Sequence, residues 1–136
     1  MSTRTRVIRG LAVATAGIFL AGIGLTQSAG AAVRPLSSGG GCGPDLLMEA
    51  CISASGSYVE PDAYLQARPG CQSVKFYVYD LTQGGTFGYS LPCGVNAHEG
   101  PFQLRGTQGH VYQSELIEIA FNTEISVYSK KLTFSN

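Results

Sequence analysis

His98 and Glu99 stand side by side in PCGVNAHEGP (92–101), a stretch rich in turn-forming residues. An imidazole and a carboxylate in a loop are the raw material of a general base, and loops are where such groups are commonly carried. Adjacent residues on an extended chain point apart, however. No motif places a serine or cysteine nucleophile beside them, so the pair reads as a solvated loop tip. His110 opens a strand-like segment with no identified partner. The chain has no G-x-S-x-G, no H-E-x-x-H and no glycine loop leading to a lysine and a helix. The expectation is a protein that is not an enzyme and needs no cofactor.

The cysteines offer different chemistry. All four (Cys42, Cys51, Cys71 and Cys93) follow the first forty residues. An even number in an exported chain reads as a disulfide framework. Of the three possible pairings, Cys42–Cys51 and Cys71–Cys93 join neighbours in sequence and are favoured. Each loop closure contributes roughly 2.5–3.5 kcal/mol in the chain-entropy model. A zinc site is not expected, because there is no C-x-x-C pair and there are only two histidines.

Tyrosine is the abundant aromatic, with seven copies and no tryptophan. Tyr77, Tyr79 and Tyr89 fall on one expected hairpin and can form an exposed aromatic face. Such rings suit recognition because they bring area and a polar tip at low entropic cost. The competing reading is that they pack as cross-strand pairs.

These residues sit downstream of a leader. MSTRTRVIRG carries Arg4, Arg6 and Arg9 and no acid; an apolar run follows from Leu11 to Leu25, and Ala29, Gly30 and Ala31 form a small-residue exit. That pattern is a secretory signal peptide over residues 1–31, and its apolar run is short of the roughly twenty residues a membrane span needs. The mature chain is expected to be secreted, with no membrane contact after cleavage. From Ala32 onward six Lys and Arg face nine Asp and Glu, a net charge of −3. An acidic domain with no basic cluster is a poor nucleic-acid binder. Lys130 and Lys131 are adjacent, and on a strand they would face opposite sides.

The hydrophobic pattern has period two. SVKFYVYD (73–80) sets Val74, Phe76 and Val78 against Lys75, Tyr77 and Tyr79, and TFGYSL (86–91) aligns Phe87, Tyr89 and Leu91. The two form a hairpin whose open end a Cys71–Cys93 bond would close. HVYQSELIEIAF (110–121) and EISVYSKKLTFSN (124–136) form a second hairpin turning at Asn122 and Thr123. In its first strand Val111, Ile117, Ile119 and Phe121 share parity, and a bulge near Ser114 accommodates Leu116. In its second, Tyr128, Leu132 and Phe134 share one face and Ile125 and Val127 the other. EACISASGSYVE (49–60) reads as a strand, DAYLQAR (62–68) as another after a corner at Pro61, and FQLRG (102–106) as a short one. PDLLMEA (44–50) suits a brief helical turn. About seven short strands with regular turns indicate an all-β fold, a small antiparallel β-sandwich over residues 42–136.

Ahead of it lies AVRPLSSGGG (32–41). SSGGG (37–41) reads as a flexible tether, whereas Val33, Arg34, Pro35 and Leu36 bring two apolar side chains, a cation and a stiff bend. The stretch therefore reads as an N-terminal arm able to anchor a partner. With GCGPD, ACISASG and the PGC…PCG pair, this layout resembles the small adaptor subunits of the umbrella-shaped toxin particles secreted by actinobacteria. That resemblance implies an adaptor joining a lectin subunit to a large repeat-bearing toxin subunit, its arm (here Val33, Arg34, Pro35 and Leu36) entering a cleft on the lectin. Two alternatives belong to other classes. One is a secreted inhibitor of a protease or other hydrolase, using PCGVNAHEGP as its contact loop. Amylase inhibitors of this size use a tryptophan-containing surface triplet, which this chain lacks. The other is a wall- or sugar-binding module.

Overall fold

The computed structural model describes residues 37–136. The expected signal peptide and Val33, Arg34, Pro35 and Leu36 lie outside the described residues. Eleven strands follow in order: β1 (Ser38–Gly39), β2 (Gly43–Pro44), β3 (Met48–Ser55), β4 (Tyr58–Leu65), β5 (Cys71–Asp80), β6 (Gly85–Leu91), β7 (Ala97–Glu99), β8 (Leu104–Arg105), β9 (Val111–Ala120), β10 (Thr123–Tyr128) and β11 (Leu132–Thr133). They form two antiparallel sheets. One has the order β1-β11-β9-β5-β6, with β10 also on β9; the other runs β2-β3-β4, with β7 and β8 sharing the far side of β4. Phe76, Val78, Leu116, Leu132 and Phe134 of the first sheet bury against Met48, Ile52, Val59 and Leu65 of the second. The fold is thus the all-β sandwich that the period-two pattern indicates.

Alternation holds best in β5, where Val74, Phe76 and Val78 are buried and Lys75 is exposed. In β9 the expected parity is inverted. Tyr112, Ser114, Leu116, Glu118 and Ala120 face the core, while Ile117 and Ile119 are half-buried on the outer face and Phe121 is exposed. Two polar residues on the inner face disguise the pattern, and each is satisfied. Ser114 Oγ donates to the Cys51 carbonyl at 2.9 Å, and the Ser114 N–H donates to Ser129 Oγ at 2.9 Å. Glu118, with no exposed surface, accepts from the Arg68 N–H and from Arg68 Nη1, both at 2.6 Å. Buried polar groups are tolerated on these terms and not otherwise.

The bulge expected near Ser114 lies in the chain facing it. Tyr128 pairs with Glu115 and Leu132 with Tyr112, so three intervening residues on one side face two on the other. The extra residue flips the parity, which puts Val127, Leu132 and Phe134 in the core and leaves Tyr128 outside. Lys130 and Lys131 fall in this irregular break, both exposed, and not on a strand. The β9–β10 turn is made by Phe121 and Asn122, both at positive φ, one residue earlier than expected.

Three further expectations need correction. Residues 49–60 are not one strand: Ser55 pairs with Tyr58 across a two-residue Gly56–Ser57 turn, and Gly56 has φ 54°. Pro61 is no corner but lies within β4, opposite Ile52. Its carbonyl accepts from the Phe102 N–H at 2.9 Å, so its nitrogen also faces the irregular 100–103 segment, where no ladder bond is lost. Residues 44–50 form no helical turn. Asp45 N–H donates to the Met48 carbonyl, and Gly43 and Pro44 pair with Ala50 and Glu49 in a hairpin fastened by the Cys42–Cys51 disulfide.

SSGGG is not a free tether. Ser38 and Gly39 pair with Thr133 and Leu132, and Ser37 Oγ and Ser135 exchange two hydrogen bonds of 2.8 Å. Gly40 and Gly41 donate to the carbonyls of Lys131 and Ile52. Gly40 has φ 77°, and a Cβ there would lie 2.7 Å from the Ile52 carbonyl oxygen, so only glycine bridges the two sheets at this point. Ser37–Gly41 are therefore part of the folded domain, upstream of its expected start at Cys42.

Cys71 and Cys93 form the second disulfide, beyond the last β5–β6 pair (Val74 with Leu91). No described cysteine is free, as in proteins of an oxidising, extracellular type of environment. Replacing Cys71 and Cys93 together with serine should lower unfolding free energy by about 3 kcal/mol, read from a urea denaturation midpoint. A loss below about 1 kcal/mol would mean the hairpin closes without the bond.

Candidate binding groove

The outer face of the second sheet carries a row across three strands. Glu49 of β3 pairs with Tyr64 of β4, which pairs with His98 of β7. The Tyr64 and His98 rings stack with centroids 4.3 Å apart and planes 2° from parallel. His98 Nε2 lies 3.2 Å from Asp62 Oδ2. His98 is therefore a strand residue held by an aromatic face and a carboxylate, not a solvated loop tip. Glu99, next in β7, pairs with Ala63 and takes no part. What the sequence hides is the partner: Asp62 and Tyr64 are more than thirty residues upstream and meet His98 only through the β4–β7 ladder.

Beside this row the β2–β3 connection projects Leu46 and Leu47. Leu46 is 96% exposed. Together they wall a groove of about 370 Å³ whose lining includes Asp45, Tyr64, Gln66, Asn96 and His98. Asp45 is positioned by Arg68, whose Nη2 donates to it at 2.6 Å. The Leu46 N–H, then the Arg68 guanidinium, hold the Asp45 carboxyl below the usual carboxylate range. Asp62, with lesser help from Glu49, pushes the Tyr64 phenol up. Asp45 and Glu49 line the groove and Asp62 holds its His98, while Arg68 is committed to Glu118 and Asp45, so the groove combines apolar leucine walls with acidic groups. Its lining holds no serine, threonine or cysteine. Cys42, Glu49 and Cys51 cluster nearby, but both sulfurs are spent in the disulfide and offer no metal ligand.

The loop 92–101 is more tied to its neighbours than its composition suggests. Ala97–Glu99 pairs with β4, the Gly94 carbonyl accepts from Ala67 N–H, and Asn96 N–H donates to Gln66 Oε1. Val95, exposed between the two bonded residues Gly94 and Asn96, forms the tip.

The three tyrosines Tyr77, Tyr79 and Tyr89 do not share a face. Tyr89 lies opposite Phe76 on the core side and stacks on Phe102 at 4.0 Å. Tyr77 and Tyr79 lie on the outer face, 6.1 Å apart, and the residue that joins them there is Tyr128. Tyr77 and Tyr128 flank Glu115 in register on either side of β9, and the Tyr79 hydroxyl donates to Glu115 at 2.5 Å. Burial, then the Glu115 carboxylate, pushes the Tyr79 phenol well above its usual value of 10.0; the hydrogen bond to Glu115 is the main cause for Tyr128. A phenol whose folded pKa is raised binds its proton more tightly folded than unfolded. Its stabilisation is whole below pH 10.0 and is lost as pH rises further. Absorbance titration at 295 nm should show Tyr79 among the last tyrosines to ionise, with Tyr79→Phe shrinking that late step. Uniform ionisation of all tyrosines near their ordinary value, fold intact, would contradict the geometry.

His110 also has a partner: its Nδ1 lies 2.7 Å from Asp80 Oδ2, and Asp80 accepts the N–H groups of Thr82 and Gln83. This cluster locks the β5–β6 turn. Comparison with family models, curated proteins and solved structures finds no match for this chain.

Proposed function

We propose that this protein is a secreted, non-catalytic adaptor subunit that holds two other secreted proteins together. The observation that carries the reading is the groove beside Leu46 and Leu47. Leu46 stands almost wholly in solvent on a short, pinned hairpin, with Leu47 partly exposed beside it. Exposed apolar side chains beside a groove with a polar rim mark a protein-contact site. The acids at the rim favour a partner segment that is apolar and cationic.

The second contact is the arm. Val33, Arg34, Pro35 and Leu36 directly precede Ser37, which is fastened to Ser135 at the edge of the first sheet. The arm thus starts from a fixed point and spends no binding energy on ordering a tether. The resemblance of GCGPD, ACISASG and PGC…PCG to umbrella-particle adaptors names the partners this reading expects: a lectin subunit for the arm and a large repeat-bearing toxin subunit for the groove. An inhibitor would rest on loop 92–101, where Val95 alone projects between the bonded Gly94 and Asn96; that favours the groove as the contact. The test is capture of partners from culture supernatant by full-length protein, by protein lacking residues 32–36, and by a Leu46→Ser, Leu47→Ser variant. Two different proteins should be captured, one lost with each change. Capture of a single hydrolase, lost when Gly94–Asn96 is altered, would replace the adaptor with an inhibitor.

A further inference from the structure

The described sheet edges are not alike. β1, β2, β7 and β8 are two or three residues long. β10 is longer but carries Glu124, and its Tyr128 end is covered by Gly43. β6 is different: GTFGYSL, seven residues, ends the first sheet with no charge, no proline and no bulge. Edge strands of stable monomers carry such devices because an open edge pairs with other chains. The geometry points to β6 as the site where a second copy of this chain adds its own β6, antiparallel, making one continuous sheet across a two-fold axis.

The direction of the backbone groups sets the register. Leu81 N–H donates to Val111 of the β9 side, and the Asp80 carbonyl accepts from Gly84 on the β6 side. Even-numbered residues of β5 therefore bond to β6, through their partners Gly85, Phe87, Tyr89 and Leu91. Thr86, Gly88 and Ser90 turn their N–H and C=O groups outward, and all three are exposed. Among the described residues no hydrogen bond reaches those outward groups.

The sequence is self-complementary about Gly88. Gly88 opposite Gly88 places Thr86 opposite Ser90 and Phe87 opposite Tyr89 of the second copy. The outward groups then meet in three hydrogen-bonded pairs, about six bonds in all. Phe87 and Tyr89 fall in non-hydrogen-bonded pairs, where side chains approach most closely, giving two aromatic cross-strand contacts. Phe87 is 47% exposed and faces the inner side, so its ring is free to take that contact. No charge opposes another anywhere along the seam. Gly88 itself is required by the monomer: a Cβ there would lie 2.8 Å from the Tyr77 ring. The interface is isologous, as a closed dimer demands.

The test is sedimentation of the oxidised mature protein over a concentration series, with hydrogen exchange at Thr86, Gly88 and Ser90. A dimer is expected, and those three amides should gain protection as the dimer forms. Ser90→Pro removes an outward N–H and spares the β5–β6 ladder, so it should raise the dissociation constant at least about tenfold. Phe87→Ser leaves the backbone untouched and should weaken the dimer as well; it stands in if Ser90→Pro does not fold. A monomer at every concentration overturns the proposal, as does a dimer indifferent to both variants. Protection of the three amides by another protein, the chain alone staying monomeric, also overturns it and assigns the edge to that protein.

Discussion

Arg68→Ala is expected to lower the unfolding free energy by about 3–5 kcal/mol. Arg68 lies in the connection after β4 and reaches across the sandwich to Glu118 on β9. The Glu118 side chain has no exposed surface, and both of its oxygens accept from Arg68, one from the backbone and one from the guanidinium. Alanine keeps the backbone bond and removes the charge partner, leaving a carboxylate sealed in the core. The cost is that of an uncompensated buried charge rather than of a broken surface bridge. The Asp45 contact is lost with it, and Asp45 sits on the exposed side of the hairpin that carries Leu46. Denaturant unfolding checks the loss. Arg68→Met with Glu118→Leu should recover most of it, because replacing both partners with apolar groups leaves nothing unpaired. A single-variant loss below about 1 kcal/mol would mean that Glu118 reaches water or another partner.

Leu46→Ser with Leu47→Ser is expected to leave the fold intact, at a cost of about 1–2 kcal/mol from the 36% exposed Leu47, and to weaken the groove partner by 10²-fold or more. Leu46 makes almost no contact within the domain, so its removal costs the fold little. A leucine fully buried by a partner contributes roughly 1.5–3 kcal/mol, and each 1.4 kcal/mol is tenfold in affinity. His98→Ala should act at the same surface, since it strips the ring that covers Tyr64. Titration calorimetry against the captured partner measures both. Unchanged affinity in both variants would remove the groove from the account.

The sandwich was legible because period two survives wherever inner positions are apolar, as in Val74, Phe76 and Val78 of β5. It misled where polar residues are buried with local satisfaction. Ser114 and Glu118 read as outward and are inward, and the partners that permit this, Ser129, Cys51 and Arg68, are distant in sequence. Gly56–Ser57 carried a hairpin signal, but Pro61 drew attention as a breaker; its carbonyl direction, invisible in sequence, decides that a proline fits there. The three glycines at 39–41 have the composition of a linker and the hydrogen bonds of a strap, and composition alone does not separate the two. The groove was half visible. His98 stood out, whereas Tyr64 and Asp62 joined it only through register across β4 and β7.

On the proposed function, one molecule bears two separate contacts and bridges two proteins. The most direct measurement immobilises one captured partner and records how much of the second is retained in the presence of this protein. Full-length protein should retain it; protein lacking residues 32–36 and the Leu46→Ser, Leu47→Ser variant should each bind one partner and retain nothing of the other. An equimolar mixture of the two altered forms should also fail, because each molecule then carries a single contact. Retention by either altered form alone would show that the arm and the groove are not the two ends of a bridge.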